Sequence, residues 1–325
     1  MNWTETIRRG RFVVIGRAGM DLYADPPGTR TEEATQFSAA LGGSSANIAV
    51  ALARLGQQVA LISTVSDDAV GRFCLNELDR YGVDRARVRS LRGEMRTSLA
   101  VVETRAVDTQ SVIYRNNAAD FALSEADVAL DWTGIGALIL TGTALAVDPS
   151  RGACFAAMTN AHAAGVSVVL DIDYRPYSWA STAEAASVYT QAVRLADMII
   201  GNDDEFGVLA GGHAAGLPLA RQLGQHASGF VVYKMGAKGA VTISPDGEFA
   251  TPIFQVTALK PTGAGDAFMG GLMAGLAHGL PLPAAVTQGA AAAAIVVTRV
   301  GCAPAMPTQP ELAAFMKARH AYSAV

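Results

Sequence analysis

Cysteine is scarce in this chain: Cys74, Cys154 and Cys302 are the only three among 325 residues. Their wide spacing offers no metal-type pair and no even disulfide framework, which fits a reducing compartment and three buried thiols. Charge is thin as well, at 17% of residues, with 25 Lys and Arg against 29 Asp and Glu for a net charge of −4. No basic tract is present to engage nucleic acid or an anionic membrane. Long apolar runs are missing too. Phe12-Val-Val-Ile-Gly16 stops at Arg17, too short for the core of a signal peptide. The Ala-rich run 290–297 falls far short of a membrane span. The expectation is a soluble, cytoplasmic protein. There is no internal repeat and no low-complexity linker.

Two common nucleotide-binding motifs are also absent. Gly16-Arg-Ala-Gly19 follows an apolar strand, but it is not G-x-G-x-x-G. The residues after it, Asp21-Leu-Tyr-Ala-Asp-Pro-Pro, do not continue a helix. The dinucleotide fingerprint therefore fails in sequence and in context, which argues against a Rossmann oxidoreductase. No G-x-x-x-x-G-K-[ST] occurs anywhere, so a phosphate-handling site must be built in another way.

What the chain does have is apolar bulk. Half its residues are hydrophobic, enough for a sizeable core in one large domain or two modest ones. Strand-like and helix-like segments alternate: strand 12–15, helix 44–55, strand 59–63, helix 69–81, strand 137–140, helix 150–164. The rhythm continues through strand 167–170, helix 183–195, strand 198–200, helix 205–210, helix 217–226 and strand 230–234. Such alternation predicts an α/β fold with a mainly parallel central sheet and helices on both faces. Two stretches break the rhythm. Residues 21–40 are polar around Pro26-Pro27-Gly28, and residues 97–116 alternate apolar and polar side chains. Both read as β-hairpins or edge strands outside the main sheet, together forming a small β-sheet lid.

The most informative stretch is Lys260-Pro261-Thr262-Gly263-Ala264-Gly265-Asp266, a small-residue turn leading into an apolar helix over 267–277. Small residues at a helix start expose backbone N–H groups, and the positive end of the helix dipole suits a phosphate. A carboxylate beside a phosphate is unfavourable unless it has a task, such as taking a proton from a hydroxyl. The combination suggests phosphoryl transfer to an alcohol.

Other segments have two readings each. Leu41-Gly-Gly43-Ser-Ser-Ala-Asn47 runs into a helix, so its glycines permit close ligand approach and Asn47 can bond a hydroxyl. Asp21 lies at the carboxyl edge of the first strand, where ligands bind in open α/β sheets. Asp21 and Asn47 could equally well only cap turns. Asn202-Asp-Asp-Glu205 could orient Mg²⁺ and phosphates, or simply cap a helix. Lys234, Gly236 and Gly239 could sit by a nucleotide, or simply make a hairpin turn.

Taken together, these segments resemble the ribokinase-like carbohydrate kinase family over about 12–307. The run Gly42 to Gly56, continued by Val65 to Phe73, resembles the family's N-terminal signature. Thr262-Gly263-Ala264-Gly265-Asp266-Ala267-Phe268 resembles its C-terminal one. The resemblance implies a single domain over 1–325, with its lid from insertions at about 21–40 and 97–116. It implies that Asp266 is the base, with the backbone of Gly263, Ala264 and Gly265 as the anion hole. It implies that Asp21, Gly43 and Asn47 hold the sugar. Asn202 with Glu205 would organise Mg²⁺ through water, and Lys234, Gly236 and Gly239 would face ATP. Asp171-Ile-Asp173-Tyr-Arg175 and Tyr114-Arg115 through Asp120 resemble the family's acid-sugar kinases. Arg115, Arg175 and Asp173 are therefore expected at the sugar acid; each arginine could instead form a structural salt bridge.

Lys260-Pro261 resembles the members that phosphorylate 5-dehydro-2-deoxygluconate in inositol breakdown, where most of the family carries an acidic dipeptide. That departure removes a carboxylate and leaves a monovalent-cation requirement open. The alternatives are a 2-dehydro-3-deoxygluconate kinase, a fructokinase or ribokinase, and a catalytically silent sugar or nucleotide sensor. A homodimer through the lid is a further expectation, because edge strands expose groups that a partner can cover.

Overall fold

The computed structural model describes residues 3–8 and 11–319. Nine strands form the main sheet: β1 (Arg11–Ile15), β4 (Gln58–Ser66), β5 (Asp84–Leu91), β8 (Ala137–Thr141), β9 (Ser167–Asp171), β10 (Met198–Asn202), β11 (Phe230–Lys234), β12 (Ala240–Ser244) and β13 (Gly247–Thr251). Their spatial order is β13-β12-β11-β10-β9-β8-β1-β4-β5. All pairings from β5 across to β11 are parallel, and β12 and β13 add antiparallel. The central strands are short Val/Ile/Leu runs because both faces are covered. Separate apolar clusters lie on the two sides, one centred on Phe12, Val14, Ile48 and Leu272, the other on Val13, Leu138, Val168 and Tyr189.

The two rhythm-breaking stretches build a second sheet of four strands: β2 (Gly19–Asp25), β3 (Gln36–Gly42), β6 (Ser98–Val102) and β7 (Ser111–Tyr114), in the order β3-β2-β6-β7. Each hairpin is antiparallel, and β2 joins β6 in parallel. Asp84–Leu91 is a strand with no apolar run in the sequence. Its charged residues stand on an edge strand where only Val88 is buried. Among the described residues no helix is long and apolar enough to cross a membrane.

The helix Ala264–Ala277 contains Gly270, Gly271 and Gly275, a poor composition for a helix in isolation. Tertiary packing overrides that. A Cβ at Gly270 would lie 2.3 Å from Ala51 Cβ, and one at Gly271 would lie 3.0 Å from the Gln288 carbonyl. The glycines let Ser44–Arg54 and Leu282–Val296 press directly against this helix, which fixes where its N-terminus points.

Candidate active site

The helix Ala264–Ala277 begins at Gly263, whose φ of 83° lies in the left-handed region that favours glycine. Among the described residues no side chain caps this end. The Ala264 N–H reaches the Pro261 carbonyl at 3.4 Å, while those of Gly265 and Asp266 find no acceptor among the described residues. Beside them lies Lys234, the last residue of β11, its Nζ over the Phe268 ring at 5.9 Å from the centroid. A Cβ on Gly265 would come 3.5 Å from that ammonium. Free N–H groups, a helix dipole and an ammonium with no salt bridge among the described residues thus converge on one point, an arrangement that suits a phosphoryl group.

Asp266 stands at the same helix start. The Asn47 amide donates to its Oδ2 at 2.8 Å. Burial pushes the Asp266 carboxyl up to about 7, and the charge of Asp173 acts in the same direction; the Asn47 bond, Arg175 and Lys234 oppose them. A carboxylate poised near neutrality is suited to accepting a proton. Asn47 Oδ1 is buried without a partner, leaving an acceptor for a ligand hydroxyl.

On the facing wall, Asp21 is part of β2 and is buried. Its position depends on Gly42, where a Cβ would lie 2.0 Å from Asp21 Oδ1. Gly43, with φ of 93°, turns the chain into the Asn47 helix; a Cβ there would lie 2.5 Å from the Arg17 carbonyl. Tyr23 donates to Asp21 Oδ2 at 3.1 Å. Burial raises the Asp21 pKa, and Arg17, Tyr23 and Lys260 counter it. Lys260 is fully buried beneath the helix-start turn and donates to the Thr262 carbonyl. Burial lowers its pKa, opposed by Cys302, Asp266 and Asp21.

Behind Asp266 lies a group of carboxylates. Asp173, at a positive φ of 39°, accepts from Ser44 and Thr143 and pairs with Arg175 Nη2 at 2.7 Å. Burial pushes Asp171 up to about 8; Lys234 pulls it down, while Glu205, Asp173 and Asp266 push it further up. Burial likewise raises Glu205. Among the described residues Lys234 and Arg175 act on these carboxyl groups, and Asp266 interacts with Lys260 as well. Oxygen groups such as these suit a hard divalent cation held through water, although the one set of three acidic, His or Cys donors within 4.8 Å of one another among the described residues is Asp203, Asp204 and His213.

Asn202 and Glu205 form a reciprocal capping box at the start of the helix Asp203–Ala210, with bonds of 2.8 and 2.7 Å. The helix-cap reading of these residues is thus met, while Glu205 also faces Arg175 at 4.0 Å. Gly236 and Gly239 make the tight turn of the β11–β12 hairpin.

The two arginines expected at a substrate carboxylate already have partners in the chain. Arg115 is clamped by Asp120, donates to the Thr143 carbonyl at 3.2 Å and stacks over Phe121. Arg175 holds Asp173. Arg17, which the sequence shows only as part of a failed dinucleotide fingerprint, and Lys260 are both buried cations. The signal for Arg17 is a charged residue just past the apolar strand Arg11–Ile15, at the ligand-binding edge of the sheet; Lys260 follows no strand directly and has no such signal. All three cysteines are buried, and burial pushes each thiol up to about 12.

Residues 10–309 match the model of the pfkB family carbohydrate kinases. The chain is 39% identical over 313 residues to the 5-dehydro-2-deoxygluconokinase of Photobacterium profundum, covering 94% of this chain and 95% of that one. It is 37% identical to the enzyme of the same name from Geobacillus kaustophilus, over 94% and 93% of the two chains. Among solved structures it is similar to a fructokinase from Vibrio cholerae with fructose, ADP and potassium ion bound. There the TM-score is 0.82 at 29% identity, over 94% of this chain and 98% of that one. It is also similar to aminoimidazole riboside kinase from Salmonella enterica complexed with aminoimidazole riboside and an ATP analogue. That TM-score is 0.78 at 27% identity, over 94% and 99% of the chains.

Proposed function

The chain belongs to the pfkB family of carbohydrate kinases, and from that premise we propose that it transfers the γ-phosphoryl group of ATP to the primary hydroxyl of 5-dehydro-2-deoxygluconate. The observation that carries the chemistry is the pairing of Asp266, poised near 7, with the free N–H groups at the same helix start. The acid assignment is supported by the Lys260-Pro261 lead-in, the segments around Arg115 and Arg175, and the shared name of the relatives at 36–39% identity.

In this reading Asp21, Gly43 and Asn47 hold the sugar, with Arg115, Asp173 and Arg175 shaping the acid end. Asp266 removes the hydroxyl proton as the oxygen attacks the γ-phosphorus, and the bond to the β-phosphate breaks to release ADP. The backbone of Gly263, Ala264, Gly265 and Asp266, with Lys234, meets the charge on the transferring group. Gly236 and Gly239 keep the nucleotide side of the cleft open. Glu205, with Asn202 beside it, would organise Mg²⁺ through water. When bound, Mg²⁺ neutralises phosphate charge. The small sheet closes over the sugar as a lid and excludes water. Its outward Phe37, Val112 and Tyr114 are exposed apolar side chains that a second copy can cover.

An ADP-release assay across sugar acids and neutral sugars tests this. Turnover of 5-dehydro-2-deoxygluconate above all others is the expected result. Preference for 2-dehydro-3-deoxygluconate would change the substrate, and preference for fructose or ribose would overturn the acid assignment. Ligand-induced stabilisation without any ADP formation would point instead to a silent sensor.

A further inference from the structure

Resting on that sugar-acid reading, we propose that Arg17 is the residue that recognises the substrate carboxylate. Arg17 follows β1 and is 91% buried, at 9% exposure. Its guanidinium makes one hydrogen bond, from Nη1 to Ser98 Oγ at 3.1 Å. Among the described residues no carboxylate comes within the 4.0 Å of a salt bridge. A permanently charged fork with five N–H donors is thus held in the interior with a single neutral partner. Taking such a charge out of water is costly unless an anion meets it. Arg115 and Arg175 have already spent their charge on Asp120 and Asp173. Arg17 has not.

Its surroundings place that charge at the sugar. Arg17 acts electrostatically on Asp21 and on Tyr177, the residue that also feels Arg175, Asp173 and Arg115. The Arg17 carbonyl accepts from the Ala46 N–H at 3.2 Å, one residue before Asn47. The backbone of Arg17 is therefore tied to the helix that presents Asn47 to Asp266. Gly19 makes room for the guanidinium: a Cβ there would lie 3.3 Å from Arg17 Nη1 and 2.7 Å from Ser98 Oγ. In a six-carbon acid the carboxylate and the primary hydroxyl stand at opposite ends. With the hydroxyl at Asp266, the carboxylate extends toward Asp21 and the small sheet, where Arg17 supplies the compensating charge. A planar guanidinium pairs with it through two parallel N–H bonds. A neutral sugar would leave the guanidinium with only the more distant Asp21 carboxylate and no ion-pair contact, which is a basis for rejecting it.

The test compares the acid with its primary amide, which has the same shape and no charge. Wild type is expected to favour the acid on the order of 100-fold in kcat/KM, and Arg17→Gln to abolish most of that preference through KM. Arg17→Lys keeps the buried charge and a folded chain; its KM for the acid is expected to rise about tenfold because a point charge replaces the fork. If both variants bind the acid as wild type does, the assignment to Arg17 is overturned while the sugar-acid reading stands. If wild type itself does not distinguish acid from amide, the sugar-acid reading falls, and this assignment with it.

Discussion

Asn47 donates its amide to Asp266 at 2.8 Å, linking the first turns of two helices across 219 positions of sequence. The bond orients the carboxylate and stabilises its ionised form. Asp266→Asn is expected to lower kcat by about 10² to 10⁴, with ATP affinity by calorimetry close to wild type. Turnover near the wild-type rate would remove Asp266 from the base role.

The same bond gives a pH signature. The ionised carboxylate is the active form, so kcat/KM should fall as pH drops through about 7. Asn47→Ala removes an influence that lowers the Asp266 pKa. The acid limb of its profile is expected at higher pH than in wild type, with a raised sugar KM. An unmoved limb would sever the link between Asn47 and the base.

Stability should carry the opposite slope. Asp266 and Asp171 have folded-state pKa values of about 7 and about 8, above their ordinary 3.8. The folded protein therefore holds more protons than the unfolded chain between those limits, and stability declines as pH rises through them. In buffer containing a chelator and no nucleotide, Tm is expected to fall between about pH 4 and 8. Asp266→Asn should flatten the fall; an unchanged slope would contradict the assignment.

Lys260 places a fixed ammonium under the helix-start turn, on the Thr262 carbonyl. Lys260→Met leaves that carbonyl without its donor and loosens the turn. A lower kcat with a largely retained sugar KM is expected. Wild-type turnover should change little when potassium is replaced by a bulky organic cation, because the chain carries its own charge there. Strong potassium activation would refute this.

Gly270 tests how packing aims the helix. An added methyl would overlap Ala51, whose Cβ lies 2.3 Å from the position it would take. Gly270→Ala is expected to cost about 1–3 kcal/mol by overpacking, despite the better helix propensity of alanine. Denaturant unfolding measures the loss. Stabilisation instead would mean that the helices separate without cost.

Much of the fold was legible locally. The apolar runs at 12–15, 167–170 and 230–234 became central strands because parallel strands covered on both faces need no alternation. Asp84–Leu91 was not legible: an edge strand needs little apolar surface, so its charges hid it. The start of the helix Ala264–Ala277 was readable from Gly263 and Asp266, since glycine conformation and helix-end N–H groups are local properties.

The sequence by itself determined the alternating α/β order, the phosphate-suited helix start and the presence of a carboxylate there. Only the tertiary structure decided which charges remain unspent. Asp120 and Asp173 neutralise Arg115 and Arg175, while Arg17 and Lys260 lie buried with no carboxylate in salt-bridge contact among the described residues. Charge compensation depends on distance and burial between segments far apart in the chain, and no local pattern encodes either.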